Sequence, residues 1–310
     1  MRACRARRAG CALVIAVSSL VGACGKEVPA GGVLAVPTFA TSRKIDPVDV
    51  LPADLDLVVR VDLARMRGGV GPMALEALAK HLPGESMLRG VLDKADAMTI
   101  GLRADDLDAG DRIVIVEGAG IEITPDPNLY EPAPPIVEQV RVWDLKVPDG
   151  DRAAIARVMQ IEQRAVAFIT ALEVDATTRV LREGPDEERG QPFAEGLVSA
   201  DWRPQPLRPA LAKKYPSIAS VLEGVARVRA TATVDGEALV IRGEITGQSE
   251  AAAARAAKFV SLLRDNAGEG DASLLRNLAV EPAGGSVHIV WSIPAETVLR
   301  AVAPPGPALN

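Results

Sequence analysis

The clearest alternation of apolar and polar positions along the chain lies between Arg227 and Ile245. Valine or alanine occupies the even positions from 228 to 234, and arginine or threonine occupies the odd positions from 227 to 233. Asp235-Gly236 follows, the preferred pair for a two-residue type I′ turn. The pattern predicts a β-hairpin with one core face and one wet face. The predicted cross-strand pairs are Ala232 with Leu239, Ala230 with Ile241 and Arg227 with Glu244.

Other short apolar or alternating runs are typical of strands. They cover residues 55–61, 97–102, 112–117, 137–147, 177–182 and 196–201, and a last hairpin joins 278–281 to 287–293. Asp62 follows the first run, where it could cap a helix.

Helical spacing of apolar residues predicts two long helices. The first extends from Pro148 to about Leu172, and the second from Glu250 to about Asp265 after the capping residue Ser249. Shorter helices are predicted after Gly71 and after Pro294. The predicted buried stripes are Ile155, Val158, Ala165, Ile169 and Leu172 in the first long helix and Ala253, Ala256, Ala257, Val260 and Leu263 in the second, which Gly268 should end.

Polar and proline-rich segments separate these elements. Thr124–Pro135 contains five prolines and is predicted to be a surface loop. The aspartates between 105 and 111 indicate a solvated hairpin turn, and 184–192 an acidic loop.

These elements predict an α+β fold of antiparallel-rich sheets with helices packed mainly on one face. The order of elements suggests an internal duplication, since Leu88-Arg89-Gly90-Val91 and Leu222-Glu223-Gly224-Val225 each precede a hairpin. We therefore divide the body into halves at 53–190 and 191–303, followed by a tail at 304–310.

The amino-terminal segment has the layout of a secretory signal peptide. Four arginines, at positions 2, 5, 7 and 8, precede an uncharged run from Cys11 to Leu20. Small residues dilute this run, which is shorter than the roughly 18–20 apolar residues that span a bilayer. The following Val21-Gly22-Ala23-Cys24 resembles the lipobox of bacterial lipoproteins.

That resemblance implies cleavage after residue 23, lipidation of Cys24 and attachment of the body to a membrane of the bacterial envelope, in the periplasm or at the cell surface. Residues 24–52, rich in Gly and Pro, would then be a flexible tether with an r.m.s. span of roughly 30 Å. Two alternatives are an ordinary cleaved signal peptide with an incidental cysteine and an uncleaved anchor.

Charge and cysteine content exclude some partners and some covalent cross-links. The net charge of the 310-residue chain is −6, and the mature protein is more acidic still because the leader is basic. An acidic body argues against nucleic acid as a partner. The three cysteines are Cys4, Cys11 and Cys24, so the mature chain cannot form an internal disulfide.

The sequence contains no catalytic or cofactor motif that meets its structural requirements. Gly118-Ala119-Gly120 lacks the third glycine and the following helix of a dinucleotide site. The Asp105–Asp111 segment could supply calcium ligands, although its spacing differs from that of an EF-hand loop. His81 is placed at the end of a short helix and His288 on the wet face of a strand, so we expect no catalytic, cofactor or metal site.

The expected function is therefore that of a non-catalytic binding or structural lipoprotein, whose partner is an envelope protein or an apolar ligand. One alternative is a carrier that holds an apolar ligand such as lipid between sheet and helices. Another is a carboxylate-based hydrolase, because pairs of Asp and Glu that converge only on folding carry no sequence signal.

We predict that the protein folds without a disulfide or a metal ion. Its melting temperature should not change with reductant or with chelator, because no cysteine follows Cys24 and the chain has two histidines. Thermal unfolding monitored by circular dichroism is the measurement. A clear drop in melting temperature with chelator would instead support calcium binding at Asp105–Asp111.

Overall fold

The computed structural model describes residues 45–69, 85–103, 111–147, 154–185, 195–204, 212, 216–266 and 275–294. These residues form two compact units, the first within 45–185 and the second within 195–294. The expected helices after Gly71 and Pro294 and the expected helix end at Gly268 lie outside the described residues.

The first unit contains an antiparallel sheet in the order β1-β2-β3-β7-β6-β5-β4. Its strands are β1 Leu57–Asp62, β2 Ala97–Leu102, β3 Arg112–Glu117, β4 Tyr130–Ala133, β5 Val140–Leu145, β6 Ile155–Ile161 and β7 Ala165–Thr170. Its α-helices are α1 Leu63–Gly69, α2 Glu85–Leu92 and α3 Val174–Glu183, and 3-10 turns lie at Pro47–Val50 and Ala171–Glu173.

The second unit contains an antiparallel sheet in the order β8-β9-β10-β12-β11. Its strands are β8 Val198–Trp202, β9 Val225–Asp235, β10 Ala238–Gly247, β11 Leu278–Ala283 and β12 Ser286–Pro294, and its helices are α4 Pro216–Leu222 and α5 Glu250–Asp265. The α+β fold with antiparallel sheets is therefore confirmed.

Five strands of the first sheet, β1-β2-β3-β7-β6, follow the same order as the five strands of the second sheet, β8-β9-β10-β12-β11. In each unit a first strand pairs with a hairpin, and a later hairpin then adds its second strand to the second strand of the first hairpin. The connection between the two hairpins differs: it contains β4 and β5 in the first unit and α5 in the second.

The central strands of the first unit are buried on both faces. All six residues of β7 are buried, as are the first five of β3. One face packs against residues 45–55 and Leu181 of α3. On the other face, the buried Gln160 carboxamide donates to the Ile121 carbonyl at 2.9 Å and accepts from the Ile123 N–H at 3.0 Å, which fixes the loop after β3.

This two-sided burial explains why the predicted helix over 148–172 is wrong. The described part of that segment, from residue 154, forms the hairpin of β6 and β7 instead. A strand buried on both faces loses the alternation that identifies it, and its apolar residues can then match helical spacing by chance. Leu172, predicted to be buried, is half exposed.

The predicted strand at 177–182 is also wrong, because these residues belong to α3. Thr177, Val180 and Leu181 are buried on one side of this helix, at the spacing that a helix requires. β-Branched residues favour strands locally, but burial of this stripe outweighs that propensity.

The predicted proline-rich loop contains ordered structure. Tyr130–Ala133, inside the expected proline-rich loop, forms edge strand β4, and the Tyr130 hydroxyl donates to the Ile155 carbonyl at 2.9 Å. Pro132 on β4 and Pro282 on β11 each lie on an edge strand, the position in a sheet that tolerates a missing N–H.

Residues 45–52, predicted to be the end of the tether, belong to the body. Asp46 caps the 3-10 turn, with its Oδ1 accepting from the Val48 N–H at 3.1 Å. Ile45, Val50 and Leu51 are buried in the main core of the first unit. The capped turn places these apolar side chains on the sheet, so the expected tether ends before Ile45.

The β9–β10 hairpin forms, but its predicted register is displaced by two residues. Asp235 pairs with Ala238, so Gly236 and Glu237 form the loop, and Ala232 pairs with Ile241 rather than Leu239. Gly236 has φ +58° whereas Glu237 has no positive φ, the pattern of a type II′ rather than a type I′ turn. Since the displacement is even, apolar and polar residues keep their separate faces.

The predicted caps at Asp62 and Ser249 are confirmed. Asp62 Oδ1 accepts from the Arg65 N–H at 2.8 Å, and the Ser249 hydroxyl accepts from the Ala252 N–H at 3.2 Å. Alanines of α5 pack on the apolar face of the second sheet, against Val287 and neighbouring side chains. Leu263, predicted to lie in the buried stripe of α5, is exposed.

We predict that Leu51→Ala lowers the free energy of unfolding by about 2–5 kcal/mol, because it removes a buried leucine from the core of the first unit. Val147→Ala is the matched control, since Val147 is 74 % exposed. Urea denaturation measures both. Equal effects of the two substitutions would mean that residues 45–52 do not stabilise the body.

Candidate functional site

The predicted site residue Cys24 and the aspartates at 105, 106 and 108 lie outside the described residues. Asp111 is described, and it is buried rather than in a solvated turn. The Thr170 hydroxyl accepts from the Arg112 N–H at 2.8 Å and donates to Asp111 Oδ1 at 3.0 Å. Asp111 therefore fixes the start of β3. Among the described residues, no group of three His, Cys, Asp or Glu side chains is placed to hold a metal ion.

The first candidate site is a cluster of Asp54, Arg103 and Glu173, which the sequence did not indicate. Arg103 lies directly after β2, Asp54 before β1 and Glu173 in the 3-10 turn before α3. The two terminal nitrogens of Arg103 donate to the Asp54 carboxylate at 2.9 and 3.0 Å. Its Nε donates to Glu173 Oε1 at 2.7 Å. One guanidinium therefore links three elements.

The electrostatics of this cluster favour a structural role. The hydrogen bonds from Arg103 hold the pKa of Asp54 below its usual range, and this effect exceeds the opposing effect of burial. The pKa of Asp54 is lower in the folded state than in the unfolded state. Ionised Asp54 therefore stabilises the fold at every pH above its unfolded-state pKa, and this stabilisation is lost as the pH falls through its folded-state pKa. Burial lowers the pKa of Arg103, but its bonds to Asp54 and Glu173 outweigh burial and raise it.

Similar arginine pairs join other elements. Arg157 donates to both oxygens of Asp144 at 2.6 and 2.8 Å and to the Thr178 hydroxyl at 2.7 Å, which links β6, β5 and α3. Arg60 of β1 pairs with Glu117 of β3 at 2.5 Å. Bidentate pairs of this kind fix geometry. These carboxylates therefore hold the fold together, and none of them faces an open cleft as an unpaired group.

The second candidate site lies on the polar face of the second sheet. The strand registers place five charged or titratable residues opposite one another, in one line across all five strands. We call this line the charged row; in spatial order it consists of Asp201, Arg229, Glu244, His288 and Glu281. The predicted pair of Arg227 with Glu244 is wrong, since Arg229 is the residue opposite Glu244.

A depression of about 240 Å³ is centred on this row. We call it the polar depression; it is lined by Arg229, Thr231, Arg242, Glu244 and His288, together with Ala230 and Gly243. His288 is exposed, as its predicted position on a wet face requires. The alternation in the sequence identified the polar face, but identifying the charged row requires the register of all five strands.

We predict that Arg103→Gln lowers the free energy of unfolding by about 3–5 kcal/mol, because it leaves the buried Glu173 carboxylate without its counter-charge. Adding Glu173→Gln should recover much of this loss. Arg141→Gln is the control, since Arg141 is exposed and lies 3.9 Å from its partner Glu122, and it should cost less than about 1 kcal/mol. Urea denaturation at neutral pH measures all three. Failure of the double variant to recover stability would show that the charge on Glu173 is not the cause.

No family model and no curated protein matches this chain. Among solved structures, crystal form I of TP0453 aligns with a TM-score of 0.50 and 11% identity over 84% of this chain and 97% of that one. Crystal form III of TP0453 aligns with a TM-score of 0.46 and 10% identity, over 84% and 98% of the two chains. In the described part of this chain, no helix is both long and apolar enough to cross a membrane. The similarity to crystal form I of TP0453 concerns the fold alone.

Proposed function

We propose that this chain is a bacterial envelope lipoprotein, anchored through Cys24, whose body binds a ligand or partner without catalysing a reaction. The anchor rests on the basic leader, the short apolar run and the lipobox-like residues that end at Cys24. Ile45 already packs in the core of the first unit. Under this proposal, residues 25–44 would join the lipid to the body.

One observation carries the binding role: the lining of the polar depression includes polar and charged side chains that no ion pair engages in the described part of the chain. Elsewhere, Glu173, Asp144 and Asp201 are each held by an arginine that joins two elements. Within the depression, Glu244 and His288 form no ion pair among the described residues. Charged groups left unpaired on a sheet face are available to a ligand.

The polar depression also favours binding over the two alternative functions. A carrier of an apolar ligand needs a predominantly apolar lining, whereas three of the seven residues that line this depression are charged. A carboxylate-based hydrolase needs two carboxylates that face each other across its substrate. The lining contains one, Glu244.

We predict that Cys24→Ala abolishes incorporation of labelled palmitate and releases the protein from the membrane fraction, because Cys24 would provide the lipidated amino terminus. Cys4→Ala and Cys11→Ala are matched controls within the leader and should keep both the label and the membrane association. Metabolic labelling followed by fractionation makes the measurement. Equal labelling of the wild type and Cys24→Ala would disprove the anchor.

A further inference from the structure

Two arginines of the polar depression are weakly paired compared with their neighbour on β9. Arg227 donates to both oxygens of Asp201, one of them at 2.7 Å. Arg229 lies 3.8 Å from the same carboxylate, and the hydrogen bond of Arg242 to the Thr233 hydroxyl is 3.5 Å long. Both contacts are longer than well-formed hydrogen bonds. Most N–H groups of Arg229 and Arg242 therefore have no close partner among the described residues.

Arg229 and Arg242 both line the polar depression, and the strand register makes them neighbours. Arg229 is opposite Glu244 and Arg242 is opposite Thr231, so the two arginines are diagonal neighbours on β9 and β10. Diagonal neighbours of an antiparallel pair are about 7–8 Å apart, within reach of long side chains. Two like charges at this spacing repel each other. An anionic group bound between them would remove the repulsion and accept hydrogen bonds from both forks.

Glu244 sets a second requirement on the ligand. It lies between Arg229 and His288 along the charged row and beside the proposed anion position. A simple anion would be repelled by its carboxylate. A ligand that also carries an ammonium group would satisfy Glu244 as well as the arginines. The depression, at about 240 Å³, is smaller than the roughly 300–1,000 Å³ of pockets for drug-sized molecules, so the ligand is small.

We infer that the polar depression binds a small zwitterion, with Arg229 and Arg242 holding its phosphate or carboxylate and Glu244 holding its ammonium group. This inference rests on the proposed binding function and specifies its ligand class. Thr231 and His288 supply further hydrogen-bonding groups at the rim. Both sources of such a group, a phospholipid headgroup and a free amino acid or phosphoamine, share this chemistry.

The test is calorimetric titration of the full-length protein, in non-ionic detergent, with O-phosphoethanolamine, inorganic phosphate and ethanolamine. The wild type should bind O-phosphoethanolamine more tightly than either half of it. Arg242→Gln should weaken that binding by about tenfold or more, the effect of losing one charge-assisted hydrogen-bonded pair. Glu244→Gln should weaken binding of O-phosphoethanolamine but not of phosphate.

Two variants serve as matched controls. Glu223→Gln changes an exposed carboxylate of the same unit outside both the charged row and the depression, and Arg276→Gln changes an exposed arginine of the same unit. Both should bind like the wild type, and thermal unfolding should show that every variant is folded. Phosphate binding as tight as that of O-phosphoethanolamine, no binding of any probe, or equal losses in the control variants would overturn the inference.

Two further titrations distinguish a phospholipid headgroup from a free amino acid as the source of the zwitterion. Glycerophosphoethanolamine reproduces a phospholipid headgroup, and glycine reproduces a free carboxylate zwitterion. Tighter binding of the first assigns the site to headgroups, and tighter binding of the second assigns it to amino acids. Palmitate labelling at Cys24 is independent of these titrations, so failure here leaves the envelope anchor intact, and failure of the anchor leaves the zwitterion site intact.

Discussion

Burial of β3 and β7 on both faces is the constraint on which the first unit depends. Each face of the sheet must be packed against other residues, and a different part of the chain packs on each. Residues 45–55 and α3 cover one face, and the loop anchored by Gln160 lies over part of the other. Because residues 45–310 contain no cysteine, this burial takes the place of the disulfides that stabilise many small secreted domains. Arg103 then ties the covering elements to the end of β2 through Asp54 and Glu173.

The sheet of the second unit is packed on one face only. Its sheet has one apolar face, covered by the alanine-rich side of α5, and one polar face that stays open around the charged row. The shared strand order of the two units shows that one topology can serve both arrangements. The change accompanies the connection between the hairpins, which adds strands in one unit and a helix in the other. The binding role proposed for the second unit depends on this open polar face, which the first unit lacks around β3 and β7.

The sequence correctly predicted those elements whose local pattern of apolar and polar residues matches which of their side chains are buried. The bounds of β2 and β3 were correct because polar turn residues separate two compact apolar runs, and α5 was correct because Ser249 marks its start. The β6–β7 hairpin was missed because two-sided burial removes the alternation, and its turn at Glu162 contains no glycine or proline. The Arg103 cluster joins residues that lie 49 and 70 positions apart. The charged row depends on four strand registers, one of which was displaced by the turn at Gly236.

Under the proposed anchor, the prolines of edge strands β4 and β11 have a consequence for how neighbouring molecules meet. Anchored molecules diffuse in two dimensions and meet at high local concentration in similar orientations, conditions that promote strand-to-strand polymerisation. Pro132 on β4 and Pro282 on β11 each remove an N–H from the edge to which a neighbouring molecule would have to pair. A membrane crowded with bodies anchored in the proposed way would therefore carry separate molecules, each with its polar sheet face accessible, rather than a continuous β-sheet array.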